Sequence, residues 1–206
     1  MIKNIVKQFV PPILYPSSIK NIFGSKTKEN GIELKYEKCF YNKLSFINKA
    51  ISMFDSNSCN YLEIGCDLNE VFNSIYLREE NKVGVDPFRG GNMRMTSDEY
   101  FANHEKTFEV IHVDGLHEYE QCQKDIINAL ECLSGDGIII LDDLLPKSES
   151  QEYTPRKTNS FWSGDVWKVS VELMTSNNLN FCIANIFPGI GILKKGHDDV
   201  VLSLNL

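Results

Sequence analysis

Short apolar runs alternate along the chain with longer stretches of helical period. Between residues 41 and 54 the apolar positions Leu44, Ile47, Ile51 and Phe54 recur three and four apart, which predicts a helix, and residues 55–60 then read as a polar loop. Residues 61–65 (YLEIG) form a first strand-like run. A stretch of helical spacing follows from Asp67 to Glu80, with Leu68, Val71, Phe72, Ile75 and Tyr76 on one face, and residues 82–86 (KVGVD) form a second run. The unit then recurs. FEVIHVD (108–114) is followed by a helix over 119–133 with Cys122, Ile126, Ala129, Leu130 and Leu133 inward, a turn at SGDG (134–137), and IIILDD (138–143). Runs without polar alternation suit parallel strands buried on both faces, and the helices between them suit right-handed crossovers. The pattern therefore predicts a doubly wound α/β sheet. Beyond it, residues 146–163 are polar and irregular, residues 164–174 return to a helical period, and residues 181–186 and 191–194 read as two closing strands around Pro188 and Gly189.

Composition adds little to that picture, whereas charge changes it. With 206 residues, 42% hydrophobic and 24% charged, the chain suits one soluble core. Lys and Arg total 21 against 28 Asp and Glu, a net charge of -7, the opposite of the basic footprint that nucleic-acid binding uses. The first thirty residues reverse the balance, carrying Lys3, Lys7, Lys20, Lys26 and Lys28 against Glu29. Residues 1–30 are thus read as a basic arm and residues 31–206 as a single domain. The arm's apolar pieces are interrupted by lysines and prolines, too broken for a signal peptide or a membrane span, so a cytoplasmic protein is expected. Lys3 and Lys7 beside Ile2, Val6, Phe9 and Val10 suit a peripheral membrane contact, a second copy of the chain, or packing on the arm's own domain. The six cysteines form no CxxC pair, and reduced buried thiols are expected.

In open α/β sheets the ligand lies outside the carboxyl ends of the strands. The first strand ends in Glu63-Ile64-Gly65-Cys66-Asp67-Leu68-Asn69, and Asp86 ends the second, 21 residues beyond Gly65. An acid at that spacing commonly holds ribose hydroxyls, here both of them. Dinucleotides and S-adenosylmethionine both fit such a turn. A dinucleotide needs further glycines and a helix start free of acids, because its pyrophosphate lies there, yet the chain has Asp67 and Asn69. A sulfonium and an ammonium are compatible with Glu63 and Asp67, so the cation-bearing ligand is favoured over an NAD-linked oxidoreductase. Asp67 is also expected to cap the following helix.

The chemistry is expected at the next two strand ends. Asp114 follows the FEVIHV run, and Asp142 with Asp143 follow the IIIL run, so three carboxylates converge unless repulsion is relieved. Hard oxygen ligands suit Mg²⁺ or a similar ion. His117, three residues past Asp114, is the natural general base for a hydroxyl. His112 lies inside a buried run and reads as a satisfied core histidine, while His104 and His197 read as surface. The 146–163 loop, with Tyr153, Phe161 and Trp162, is expected to cover the acceptor.

YLEIG, KVGVDP, MTSDEYF, FEVIHVDGLHEYEQCQKDI, GDGIIILDDLLP and GDVWK, in that order over roughly residues 60–195, resemble the class I S-adenosylmethionine-dependent methyltransferases. The resemblance is specifically to the small bacterial type with D-G-x-H-x-Y after the fourth strand. The resemblance implies a mostly parallel, seven-stranded Rossmann-like sheet with an antiparallel closing strand. It implies O-methylation of a hydroxyl on a sugar, glycan or small natural product, with S-adenosylmethionine as cofactor. It makes Glu63 and Gly65 contacts for the methionine end and Asp86 the ribose ligand, with Ser97 or Asp98 near the adenine after a third strand. By similarity to the catechol type, Asp114, Asp142 and Asp143 would hold Mg²⁺ and His117 would be the base. Asp143 stands where the catechol type has Asn, and Asp67 and Asn69 replace the later glycines of the first motif. A non-catalytic, cofactor-binding homologue is the alternative those departures suggest.

Overall fold

Strands form in the computed structural model, which describes residues 42–196, where the sequence is apolar enough to be buried on both faces. β1 (Tyr61–Ile64), β2 (Lys82–Val85), β3 (Phe108–Val113), β4 (Leu133–Leu141), β5 (Leu179–Ala184) and β6 (Ile190–Lys195) make one sheet in the order β2-β1-β3-β4-β6-β5. The β1–β2, β1–β3 and β3–β4 pairs are parallel, and β6 runs antiparallel to both β4 and β5. The helices are α1 (Lys43–Ile51), α2 (Ser97–Asn103), α3 (Tyr119–Cys132), α4 (Glu149–Glu152) and α5 (Lys168–Thr175).

Alternate residues of each central strand feed two different cores, as the pleat requires. Leu62, Ile64, Ile111, Val113, Ile139 and Leu141 pack with Tyr100 of α2, Ile126, Ala129 and Leu130 of α3, and Val169 and Leu173 of α5. Tyr61, Val110, Ile138 and Ile140 pack with Ile47, Ala50 and Ile51 of α1. Helices therefore cover both faces of the sheet. The β1–β3 register sets Glu63 beside His112, on the α1 face. That face is where polar groups penetrate the sheet.

Three expectations fail, each for a local reason. Residues 67–80 form no α-helix; they hold only a 3₁₀ turn at Phe72–Ser74 and the start of another at Glu79–Asn81. Asp67 and Asn69 adopt φ of 44° and 64°, which ends any helical turn at its start. Only Phe72 and Ile75 of the supposed inward face are buried, while Leu68 and Tyr76 are 63% and 98% exposed. The implied third strand shrinks to a single bridge, Val85 to Met93, because Thr96 immediately caps α2 with a reciprocal Thr96–Glu99 capping box. The described residues thus supply six strands. The SGDG segment is not a separating turn but part of β4, where the register jumps from Phe108–Leu133 to Val110–Ile138 and the extra residues are absorbed as a bulge.

Among the described residues no helix is long and apolar enough to cross a membrane. Five cysteines carry free thiols: Cys59, Cys66, Cys122 and Cys132, all buried, and the half-buried Cys182. The basic arm, Cys39 and His197 lie outside the described residues.

Candidate functional site

A cleft of about 1020 Å³ opens over the carboxyl ends of β1 to β4. Its floor exists because two backbones meet there. Gly65 has φ of 85°, and a Cβ on it would stand 2.0 Å from the Asp114 carbonyl oxygen, so no side chain fits. Ile64 O accepts from Asp114 N–H at 2.9 Å, and Val85 O from Gly65 N–H at 2.9 Å, locking the three strand ends together.

One half of the cleft belongs to β1 and β2. Asp86 is buried, and its carboxylate accepts three backbone N–H groups: Phe88 and Arg89 on Oδ1 at 2.8 Å each, and Asp67 on Oδ2 at 2.9 Å. Burial alone would raise its pKa, but those donors outweigh it and hold the carboxyl below its ordinary range. With both lone pairs of Oδ1 engaged, Asp86 has capacity for one further donor on Oδ2. A grip on two ribose hydroxyls, as expected from its spacing, does not fit. Asp67 caps no helix; its exposed carboxylate pairs with Arg89 at the cleft rim. Glu63 is 1% exposed and accepts a hydrogen bond from the Tyr61 hydroxyl at 2.5 Å. Burial pushes its carboxyl up to about 7 against the effect of that bond. A cation entering beside Glu63 would hold it ionised.

Ser97 and Asp98, in the first turn of α2, also border the cleft. Gln121 of α3 reaches both, its Nε2 lying 3.2 Å from Ser97 Oγ and 3.0 Å from Asp98 Oδ1. The same nitrogen donates to Asp125 at 3.1 Å, and burial pushes that carboxyl up to about 6. Sequence reasoning passed over Gln121 and Asp125. Their spacing of four along α3, at the edge of its apolar face, is the available signal.

The other half belongs to β3 and β4, where Asp114, Asp142, Asp143 and His117 converge as the strand ends predict. His117 Nε2 lies 3.0 Å from Asp143 Oδ2 and 3.5 Å from Asp114 Oδ1, and Nδ1 donates to the Trp162 carbonyl at 2.8 Å. Burial would lower its pKa, but Asp114 and Asp143 outweigh burial and raise it to about 9. The ring is therefore an imidazolium at neutral pH, with both nitrogens engaged, rather than the free base expected. Burial also drives Asp143 up, to about 8, against the neighbouring ring. The pair shares its proton, which we assign to His117 because Asp114 gives the ring a second carboxylate.

Lys43, which sequence reasoning did not single out, completes this half. From the first turn of α1 its Nζ bonds Asp114 Oδ2 and lies 2.8 Å from Asp142 Oδ2. Burial would lower the lysine pKa, but the two carboxylates raise it, and with His117 the lysine keeps Asp114 well below the ordinary carboxylate range. The divalent-ion expectation meets this arrangement badly. The ligating atoms gather as two sets, His112 with Asp114 and Asp142, and Asp114 with His117 and Asp143, not as the three aspartates alone. Each aspartate already faces a side-chain cation, so the expected set does not fit a metal ion. His112 is fully buried with neither ring nitrogen hydrogen-bonded, contrary to the satisfied core histidine expected, and burial lowers its pKa to about 4.

The polar loop closes the β3–β4 end of the cleft. The Gln151 carbonyl accepts from Ser163 N–H and Gly164 N–H, both at 3.0 Å, and the Trp162 indole donates to Tyr153 O at 2.6 Å. Trp162 stacks on His117 with centroids 5.3 Å apart. Gly164, at φ of 60°, lies against the His117 carbonyl, where a Cβ would come within 1.7 Å. Of the three aromatics expected to face the acceptor, Phe161 lines the cleft, packed on Phe187 at 4.7 Å; Trp162 supports His117 from behind, and Tyr153 is turned to Glu149.

Residues 64–144 match the family model described as a methyltransferase domain. No match is found among curated protein sequences. Solved structures sharing the fold include an O-methyltransferase from Bacillus cereus in complex with SAH, 12% identical, with a TM-score of 0.53 over 79% of this chain and 84% of that one. The Podospora anserina methyltransferase PaMTH1, bound to SAH, is 17% identical, with a TM-score of 0.52 over 74% of this chain and 77% of that one. A candidate caffeoyl-CoA O-methyltransferase from Staphylococcus aureus is 18% identical, with a TM-score of 0.53 over 78% and 87%. At such identities these likenesses bear on fold.

Proposed function

We propose that the chain is a class I S-adenosylmethionine-dependent methyltransferase that transfers the sulfonium methyl to a hydroxyl oxygen of a sugar, a glycan or a small natural product, a reading supported by the match of residues 64–144 to a methyltransferase domain and by the shared fold. One observation carries the reading: the Gly65 turn lies main chain to main chain against Asp114, so a ligand seated on that turn would have its methyl end beside the Asp114–His117–Asp143 cluster. Glu63 would receive the methionine ammonium, Gly65 would leave room for the ligand's chain, and Oδ2 of Asp86 would accept from one ribose hydroxyl. Ser97 or Asp98 would meet the adenine edge. Phe161 and Phe187 would form an apolar wall for the acceptor.

In the reaction the C–O bond forms as the S–C bond breaks, giving a methyl ether and the neutral thioether, and the hydroxyl proton leaves to the Asp143–His117 pair. Holding oxygen, methyl carbon and sulfur in line supplies much of the acceleration. Because the pair carries a proton at neutral pH, its capacity as base grows as that proton is lost.

Titration of the full chain with S-adenosylhomocysteine and with NAD tests cofactor class, and methyl transfer from labelled S-adenosylmethionine to a panel of sugars and phenols tests the reaction. Tight binding of S-adenosylhomocysteine alone, with a labelled ether product, is the expected outcome. Binding without transfer to any acceptor would point to the non-catalytic homologue, and preference for NAD would end the reading.

A further inference from the structure

Lys43 stands at the point where a divalent ion would have to bind to use Asp114 and Asp142 together. Its Nζ bonds Asp114 Oδ2 and lies 2.8 Å from Asp142 Oδ2. An Mg²⁺ bridging the two oxygens needs a centre about 2.0–2.1 Å from each, within the volume of the ammonium. The lysine is also held in place. Asn42 caps α1, accepting from Ser45 N–H at 3.2 Å, and Ile47, Ala50 and Ile51 of the same helix are buried against the sheet.

Charge balance agrees with the geometry. The remaining aspartate, Asp143, is engaged by His117 at 3.0 Å, so three carboxylates face two side-chain cations and none is left free for a dication. An ammonium has three donors, of which Asp114 and Asp142 take two. Lys43 borders the cleft, where its third N–H can meet an incoming oxygen.

We propose that Lys43 is a fixed cation built into this site: its ammonium takes the position a divalent ion would occupy, donates a hydrogen bond to the acceptor oxygen, and makes the chain independent of divalent metal. The acceptor contact rests on the O-methyl-transfer reading, whereas the exclusion of metal does not. The ammonium keeps its proton throughout the transfer; it stabilises negative charge growing on the oxygen and is not the base.

Mn²⁺ titration of the full chain, followed by calorimetry and by the electron-spin resonance of free Mn²⁺, tests the exclusion without turnover. No saturable site is expected in the native chain. Lys43→Met keeps the aliphatic stem and removes the charge, and should bind Mn²⁺ at least about tenfold more tightly than the native chain. Adding Asp114→Asn should abolish that gain. Where an acceptor is found, excess chelator should leave native turnover unchanged, and Lys43→Met should lower it about a hundredfold, as for loss of a donor to a developing oxyanion, with S-adenosylhomocysteine affinity preserved. One Mn²⁺ bound by the native chain and weakened by Asp114→Asn, or turnover lost in chelator, would overturn the proposal. If Lys43→Met does not fold, Lys43→Gln takes its place, and the native Mn²⁺ titration decides the exclusion regardless. Failure to find any acceptor would count against the transfer reading and leave the Mn²⁺ result standing.

Discussion

The two halves of the cleft hold their acids by different means. On the β2 side Asp86 is held by three main-chain N–H groups, which cannot titrate or swing away. On the β3–β4 side Asp114, Asp142 and Asp143 are held by Lys43 and His117, side chains that a substrate, a proton or a substitution can displace. The first half is preset for a ligand of fixed shape. The second is responsive, as suits the proposed transfer, in which an oxygen nucleophile has to be accepted and its proton disposed of.

The most severe way to break this comparison is to separate the halves. Gly65→Ala adds a Cβ that would lie 2.0 Å from the Asp114 carbonyl oxygen, at a backbone angle alanine disfavours. It should reduce S-adenosylhomocysteine affinity about a hundredfold or more and lower the melting temperature, both measurable on one purified sample.

The responsive half should betray itself through His117. His117→Ala is expected to cut turnover about a hundredfold, with cofactor affinity nearly unchanged. The native pH–rate profile should rise towards the raised His117 pKa of about 9, as the pair becomes able to take a proton. The stability contribution runs the other way. A pKa raised from an ordinary 6.5 to about 9 in the folded chain stabilises fully below 6.5 and is lost as pH climbs through 9. The melting difference between native chain and His117→Gln should therefore shrink over that window; a constant difference would remove the imidazolium from the account.

The preset half should respond less. Asp86→Asn keeps an oxygen for Phe88 and Arg89 but removes the acceptor offered on Oδ2, and should weaken S-adenosylhomocysteine by about 1–3 kcal/mol with little pH dependence. Unchanged affinity would make Asp86 a loop anchor only.

The smallest expected effect sharpens the contrast within the preset half. Glu63, raised by burial to about 7, is protonated at lower pH and then offers an arriving ammonium no charge. Cofactor affinity should fall severalfold as pH drops below 7, and Glu63→Gln should flatten that dependence.

Much of this arrangement is legible in the sequence, where burial dictates residue type. The apolar runs of β1, β3 and β4 are buried on both faces, and α3 spans Tyr119–Cys132 where its spacing predicts 119–133. Convergence of Asp114, Asp142 and Asp143 follows from adjacent strand ends. The 67–80 segment misleads because its apolar residues keep helical spacing while Asp67 and Asn69 turn left-handed, a choice set by the Asp86 and Gly91 contacts they make. Lys43 was invisible for a different reason. It lies at the start of α1, on the same face as Ile47, Ala50 and Ile51 but 71 positions from Asp114, and only the packing of that face on the sheet brings the two together.

The loop over residues 151–164 has the polar composition of a segment that proteases cut readily. Its main chain nevertheless closes on Gln151 and rests on His117 through the Trp162 carbonyl and the bare Cα of Gly164. A chain so fastened cannot enter a protease's extended-strand groove without first releasing the imidazole, so cleavage there reports on the same ring that would take the acceptor's proton. Digestion of the native chain should be slow within the loop, and His117→Ala should speed it while leaving the rest of the fragment pattern intact.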